Sequence, residues 1–104
     1  MSIDDAFGQL TPKLQSVSLQ VYVSTFCFDC TRLKRLLDAH GIAYETVNIS
    51  SVAGAAERLE RETGKRGVPY VLVNGQHWVR GYHLEQPGRL NPELFVIELA
   101  SALK

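Results

Sequence analysis

Two cysteines stand three positions apart in the run Cys27-Phe28-Asp29-Cys30, and the chain contains no others. Two thiols at this spacing can be oxidised reversibly to a disulfide, or they can supply two of the four ligands of a metal site. A tetrahedral zinc site needs four ligands, and His40, His77 and His83 show no spacing that pairs them with the cysteines. The residue types therefore favour reversible dithiol–disulfide exchange over metal binding.

The motif lies where a strand pattern gives way to a helix pattern. Apolar residues alternate in positions 19–23, as in a β-strand, and from Cys30 they recur at helical spacing through Leu33 and Leu37. Cys27 is thereby placed near a helix N-terminus, where unpaired N–H groups and the helix dipole favour a negative charge. We expect Cys27 to be an exposed attacking thiolate. Cys30, on the same face as the two leucines, should point inward as the resolving thiol.

Turn and cap residues divide the rest of the chain. Gly41 is expected to end the first helix, and Asn74-Gly75 predicts a hairpin. The predicted strands are 19–24, 42–49, 70–73 and 76–79. The predicted helices are 28–40, a second from a cap at Ser50 or Ser51 to 63 with Val52 and Leu59 on its inner face, and a third after Asn91-Pro92 to 103.

The order of these elements predicts the topology. Two strands joined through a helix should be parallel, and the hairpin then adds an antiparallel pair. The predicted fold class is α/β, with a four-stranded mixed sheet flanked by three helices. Residues 1–17 are expected to be an N-terminal extension to a domain at 18–104, with mobility left open and with Gly8 and Pro12 limiting any helix.

Composition excludes several classes of protein. The 104 residues, 45% of them apolar, have the size and composition of one globular domain. Eleven Lys and Arg residues balance eleven Asp and Glu residues, which argues against a dedicated binder of nucleic acid or membrane surfaces. The acidic start, residues 1–5, does not resemble a signal peptide, and no apolar run approaches the length of a membrane span. We expect a cytoplasmic monomer.

Three segments together resemble the glutaredoxin-like members of the thioredoxin superfamily, over roughly Leu19 to Leu103. They are Val23-Ser24-Thr25-Phe26-Cys27-Phe28-Asp29-Cys30-Thr31-Arg32, then Gly67-Val68-Pro69, then Asn74-Gly75-Gln76-His77 followed by Arg80-Gly81-Tyr82. The resemblance implies a cis proline at Pro69, whose backbone with that of Val68 faces a bound peptide or glutathione. Gly81 and Tyr82 are expected at the same substrate site. Phe26 and Phe28, which flank Cys27, are expected at the substrate site as well, one of them as an exposed apolar patch that docks a partner protein.

Two departures from the family pattern concern glutathione. Where glutathione-dependent members usually carry a lysine, three residues before the first cysteine, this chain has Ser24. Where they hold the amino end of glutathione with an aspartate, the segment reads Arg80-Gly81-Tyr82-His83. The run from Trp78 to Tyr82 is similar to redoxins that serve ribonucleotide reductase and are reduced by thioredoxin reductase. Cys-Phe-Asp-Cys itself resembles mycoredoxin-like proteins, so the subfamily and the electron donor stay open between glutathione and a thioredoxin reductase.

The sequence therefore predicts a thiol–disulfide oxidoreductase that reduces protein or low-molecular-weight disulfides through Cys27 and Cys30, with no bound cofactor or metal. Two alternatives need only Cys27: removal of glutathione from mixed disulfides, and carriage of a metal or iron–sulfur cluster between two chains. A redox-inactive interaction module is a further alternative. For Asp29, a solvated carboxylate is expected, with tuning of the Cys27 thiol as the other interpretation.

Overall fold

The computed structural model describes residues 3–65, 67–80 and 92–103. Four helices and four strands are found in these ranges: α1 (Ile3–Leu14), β1 (Leu19–Val23), α2 (Phe28–Ala39), β2 (Glu45–Asn48), α3 (Ala55–Thr63), β3 (Tyr70–Val73), β4 (His77–Arg80) and α4 (Pro92–Ala102). The predicted fold class is confirmed, and the prediction of three helices is corrected to four.

The strands form one mixed sheet in the order β2-β1-β3-β4. β1 and β2 are parallel, whereas β3 is antiparallel to both of its neighbours, β1 and β4. In the register, Tyr22 lies opposite Tyr70, Tyr70 lies opposite Arg80, and Val23 lies opposite Asn48. The ends of β1 and β2, the start of β3 and the end of β4 therefore meet at one edge of the sheet.

Side chains alternate between the two faces of the sheet and build two separate cores. Val21 and Val71 belong to the larger core, which receives buried side chains from α1, α2 and α4. Tyr22 and Leu72, one position further along their strands, belong to the smaller core, which is covered by α3 through Leu59. Helices thus cover both faces of the sheet.

The additional helix, α1, is part of the larger core. Its buried residues Phe7, Leu10 and Leu14 lie on one face at helical spacing. The helix continues through Gly8 and Pro12, which were expected to limit it, because burial of that face outweighs their low helix propensity. The division into an N-terminal extension at 1–17 and a domain at 18–104 stays a prediction.

The end of α2 is a Schellman motif. The N–H of Gly41 donates to the carbonyl of Asp38 at 3.1 Å, and the N–H of Ile42 donates to that of Leu37 at 3.0 Å. Gly41 has a φ of +67°, so its predicted role in ending the helix is confirmed. Ile42 is buried in the larger core as part of this motif, and β2 begins only at Glu45 rather than at 42.

The prediction for the start of α3 was wrong. The helix begins at Ala55 after Gly54, whose φ is +80°, and neither Ser50 nor Ser51 caps it. Asn48 explains the difference, because its Oδ1 accepts from the N–H of Ser50 at 2.8 Å and its carbonyl accepts from the N–H of Ser51 at 3.1 Å. These residues are held in a turn instead. Val52, expected on the inner face, is consequently 48% exposed.

The predicted hairpin is confirmed. Asn74 and Gly75 have φ values of +53° and +67°, the backbone that a type I′ turn requires at both central positions. α4 begins at Pro92, and the cap predicted at Asn91 lies outside the described residues. Within the described ranges, no helix combines the length and the apolarity that spanning a membrane would take.

Candidate active site

Cys27 is the N-cap residue of α2. Its backbone is extended (φ −102°, ψ 107°), and its Sγ accepts a hydrogen bond of 3.1 Å from the N–H of Cys30. The cap position thus directs one of the unpaired N–H groups of the first turn at the sulfur. In the reduced protein the same N–H and the helix dipole stabilise a thiolate. The sequence had suggested an exposed side chain, whereas the structure shows the Cys27 side chain half-buried.

Cys30 lies one turn further on and is buried, with 2% of its surface exposed. It packs in the larger core with Leu33 and Leu37, which confirms the predicted inward orientation. The two cysteines form a disulfide, with their Cα atoms 5.2 Å apart. The pair is therefore asymmetric, because Cys27 is open to a partner and Cys30 can react only with its neighbour.

Phe26 and Phe28 flank the cap, and both rings face solvent. Their exposed fractions are 96% and 85%, which is unusual for large apolar side chains. Phe26 also has a φ of +62°, in the left-handed region where a side chain adds strain. Strained backbone of this kind is typical of functional sites.

The sheet edge brings the sequence-predicted segments together. Ser24 leaves β1 at this edge, and Val68-Pro69 enters β3 there with a cis peptide bond, as expected from the resemblance. Val68 and Cys27 are both partly buried against the larger core. Pro69 is almost fully buried. Gly81 and Tyr82 follow Arg80 of β4 and lie outside the described residues.

A small open cavity of about 270 Å³ adjoins Cys27. Its described lining comprises Ser24, Phe26, Cys27, Phe28, Cys30, Thr31 and Lys34. Lys34 was not singled out from the sequence, although it follows Cys27 by seven residues, which is two helical turns. Val68 and Pro69 are not part of the described lining. The cavity therefore combines a reactive sulfur, two exposed rings and one cation.

Asp29 differs from the expected solvated carboxylate, because it is only 7% exposed. Its Oδ1 lies 3.7 Å from Nη1 of Arg32, three residues further along α2. The arginine side chain itself is largely exposed. Arg32 therefore offsets the charge of Asp29, and its own charge is only partly available to the site.

Asn48 holds the loop before Cys27, a role that the sequence did not reveal. Its Nδ2 donates to Oγ1 of Thr25 at 3.5 Å, while the N–H of Ile49 donates to the carbonyl of Val23 at 2.9 Å. The end of β2 is thereby joined to the segment that leads into the cap. Asn48 is distant from Cys27 in sequence, and only the parallel pairing of β1 with β2 brings it close.

The aromatic residues on the other face of the sheet serve packing. Trp78 makes edge contacts with Tyr22 and Tyr70, at centroid distances of 4.8 and 5.9 Å. A larger cavity of about 660 Å³ lies beside β4 and α4, and its described lining includes His77 and Trp78 but neither cysteine. The chemistry therefore resides in the smaller cavity at Cys27.

The resemblance inferred from motifs can be compared with known proteins. The family described as Glutaredoxin matches residues 19–78, which is more than half of the chain and includes both cysteines and Pro69. The chain belongs to the glutaredoxin family. Membership supports thiol–disulfide oxidoreductase chemistry in general terms, with the capped pair as the residues able to perform it.

Curated relatives of two kinds are found. The Glutaredoxin-like protein NrdH of Salmonella typhimurium is 32% identical over 76 residues, which are 73% of this chain and 91% of that protein. Glutaredoxin 3 of Escherichia coli K12 is 28% identical over 81 residues, covering 74% of this chain and 96% of that protein. Because relatives of both kinds match, they do not assign this chain to either the glutaredoxins proper or the NrdH-type proteins.

Solved structures agree with the fold. The thioredoxin-like protein BC3987 has a TM-score of 0.56 and 28% identity, covering 65% of this chain and 92% of that chain. A buckwheat glutaredoxin–glutathione complex has a TM-score of 0.52 and 29% identity, covering 72% of this chain and 71% of that chain.

Proposed function

We propose that the chain reduces disulfides of proteins or small molecules through a dithiol mechanism, with Cys27 as nucleophile and Cys30 as resolving thiol. The observation that carries the proposal is the cap geometry, in which the half-buried Cys27 Sγ accepts the N–H of a buried Cys30. One sulfur is accessible and stabilised as an anion, and the other is held within reach of it.

The reaction proceeds in two exchanges. Cys27 thiolate attacks one sulfur of the substrate disulfide, so that the substrate S–S bond breaks, a mixed disulfide forms and the other substrate sulfur leaves as a thiolate. Cys30 then loses its proton and attacks Cys27 Sγ, which releases the second substrate sulfur. Two electrons have passed to the substrate, and the chain ends with the Cys27–Cys30 disulfide seen in the structure.

The proposed electron donor is glutathione or a thioredoxin reductase, and the substrates are disulfide-containing proteins or small disulfides. Support is divided, because one curated relative is named as NrdH-like and another as Glutaredoxin 3. Ser24 stands where glutathione-dependent members of the family usually carry a lysine, so the cavity lacks that positive charge. Lys34 of α2 supplies a cation to the same cavity. Backbone of Val68 and Pro69, with Gly81 and Tyr82, is proposed to position the substrate.

A second candidate is removal of glutathione from mixed disulfides by Cys27 alone. The structural relative from buckwheat, which is described as a glutathione complex, favours it. Since this reaction does not need a resolving thiol, replacement of Cys30 separates the two functions.

The test is the reduction of insulin and of hydroxyethyl disulfide, each with glutathione plus glutathione reductase and with NADPH plus thioredoxin reductase. We expect turnover with at least one donor and its loss in Cys27→Ser. Cys30→Ser should lose insulin reduction, whereas deglutathionylation of a glutathionylated peptide should persist only if the second candidate holds. Absence of reduction with both donors would contradict the proposal and favour a redox-inactive module.

Carriage of an iron–sulfur cluster between two chains stays a prediction. In the described parts of one chain, no group of three or more His, Cys, Asp and Glu residues is placed to hold a metal. A cytoplasmic location is proposed on the composition and on the use of a redox-active pair, and a monomer is proposed as the working form. Iron content and mass of anaerobically purified protein test the cluster and the monomer together.

A further inference from the structure

The surface around Cys27 has a composition that selects among disulfides. The exposed Phe26 and Phe28 side chains line the cavity at the sulfur, and Lys34 of α2 lines the same cavity. The described lining of this cavity contains no carboxylate. A cavity that combines a reactive sulfur, apolar rings and one cation is complementary to a cysteine that has an apolar and an acidic neighbour.

Within the described parts of the chain, the charge of Lys34 is left available to a partner. Of the cations on α2, Arg32 is paired with Asp29, and Arg35 is exposed but does not line the cavity. Lys34 is half-buried and makes no ion pair with any described carboxylate. Its stem can lie along the cavity wall while its ammonium reaches the opening.

The conformation of Phe26 is a second, independent observation. A glycine would occupy its left-handed backbone without strain, yet the chain places a phenylalanine there and exposes 96% of it. Neither core packing nor backbone preference explains that ring. Contact with a partner does, because binding would remove its apolar surface from water.

We propose that this cavity selects protein segments in which the disulfide-bonded cysteine is flanked by an apolar side chain and a carboxylate, with Phe26 and Phe28 contacting the first and Lys34 the second. The inference rests on the proposed function and names its substrate class. The chemistry is the exchange already described: the segment's cysteine sulfur bonds to Cys27, its former partner leaves as a thiolate, and Cys30 completes the two-electron reduction. Glutathione or the reductase returns the electrons.

Four synthetic peptides test the selection. They have equal length and one cysteine, which is held as a mixed disulfide with 2-mercaptoethanol, and they combine Leu or Ser on one side with Glu or Lys on the other. We expect kcat/KM to favour Glu over Lys about fivefold at low salt, as for a partly exposed ion pair. Added salt should weaken that preference. Leu should be favoured over Ser about tenfold through partial burial on the rings.

Ratios within one variant separate selection from reactivity, because a change in the thiol alters all four rates alike. Lys34→Glu should invert the Glu-to-Lys ratio and Lys34→Gln should abolish it. The matched control, Arg35→Glu, carries the same charge change one residue further along α2 and should preserve the ratio. Phe26→Ser and Phe28→Ser should reduce the Leu-to-Ser ratio and leave the charge preference intact.

Two results would overturn the inference: equal rates for the four peptides, or the same inversion in Arg35→Glu as in Lys34→Glu. The wild-type rate on hydroxyethyl disulfide, which has neither feature, distinguishes these from failure of the proposed function. Turnover of that small disulfide without peptide selection leaves the oxidoreductase intact and removes only the substrate class.

Discussion

The indole N–H of Trp78 on β4 donates a 3.0 Å hydrogen bond to Oε1 of Glu62 on α3. Arg58 binds the other carboxylate oxygen, with Nε 2.8 Å from Oε2. Both donors favour the ionised form, and the Trp78 hydrogen bond followed by that of Arg58 lowers the pKa of Glu62. The outermost strand β4 is thus joined to α3, which covers the smaller core.

Because the pKa of Glu62 is lower in the folded protein, this contact stabilises the fold above the ordinary Glu pKa of about 4.3 and ceases to do so as pH falls through the folded value. We expect Glu62→Gln to lower the urea midpoint at pH 7, with the difference from wild type shrinking towards pH 3. Fluorescence of Trp78, the only tryptophan, reports the transition. Glu57→Gln, an exposed change on the same helix, is the control, and a difference independent of pH would contradict the assignment.

Phe7 tests whether α1 is part of the fold. It is fully buried, and its ring stacks on His40 at the end of α2 with centroids 4.4 Å apart. We expect Phe7→Ala to reduce the free energy of unfolding by about 3 to 5 kcal/mol, as for other large core truncations. Gln9→Ala, exposed on the same helix, should change it by less than about 0.5 kcal/mol. Equal stability of the two variants would instead indicate an independent extension.

The two exposed phenylalanines should respond to glycine in opposite directions. Phe26→Gly removes a side chain from left-handed backbone and should stabilise the fold by about 1 kcal/mol. Phe28→Gly introduces glycine into the first turn of α2 and should destabilise it by about 0.5 to 1 kcal/mol. Thermal unfolding of the reduced and oxidised forms measures both changes. A loss of stability in both variants would show that the Phe26 ring makes stabilising contacts.

Asp29 lies two residues from the nucleophile, and its negative charge opposes a thiolate there. We expect Asp29→Asn to increase the thiolate fraction of Cys27 at neutral pH by about threefold, a modest change because Arg32 offsets the charge of Asp29. The ultraviolet absorbance of the thiolate across pH gives the measurement. Asp38→Asn, an exposed change near the other end of α2, should have no effect, and a decrease in Asp29→Asn would reverse the assigned sign.

Local chemistry made part of the structure predictable. The Cys27 cap, the Gly41 terminus and the Asn74-Gly75 turn each depend on residues within a few positions of one another. Val68-Pro69 was predictable only through the family resemblance, since the physics of proline permits a cis bond without requiring it.

The remaining features depend on contacts between distant residues. α1 persists through Pro12 because Phe7 enters a core built by other elements, although the spacing of its apolar residues already signalled a face. The Asn48 side chain accepts from the N–H of Ser50 and so holds these residues in a turn, and it also donates to Thr25 in the segment after β1. No local sequence pattern indicates either contact. The burial of Asp29 likewise follows from how α2 sits on the sheet rather than from its place in the helix.

The burial of Cys30 should be visible in alkylation. In the reduced protein we expect iodoacetamide to modify Cys27 at least tenfold faster than Cys30, because the reagent needs an accessible thiolate. Peptide mapping by mass spectrometry after limited reaction quantifies each site. Cys27→Ser provides the control for the intrinsic rate at Cys30, and comparable rates at the two sites would contradict the asymmetry.

With one sulfur closed to the outside, electrons enter and leave the protein through a single atom. The reductant and the disulfide substrate must therefore take turns at Cys27, and neither can be bound covalently while the other is. Such alternation produces ping-pong kinetics, with parallel lines in double-reciprocal plots when donor and acceptor are varied together. The core packing around Cys30 thus makes the reductant and the disulfide substrate react alternately with the protein.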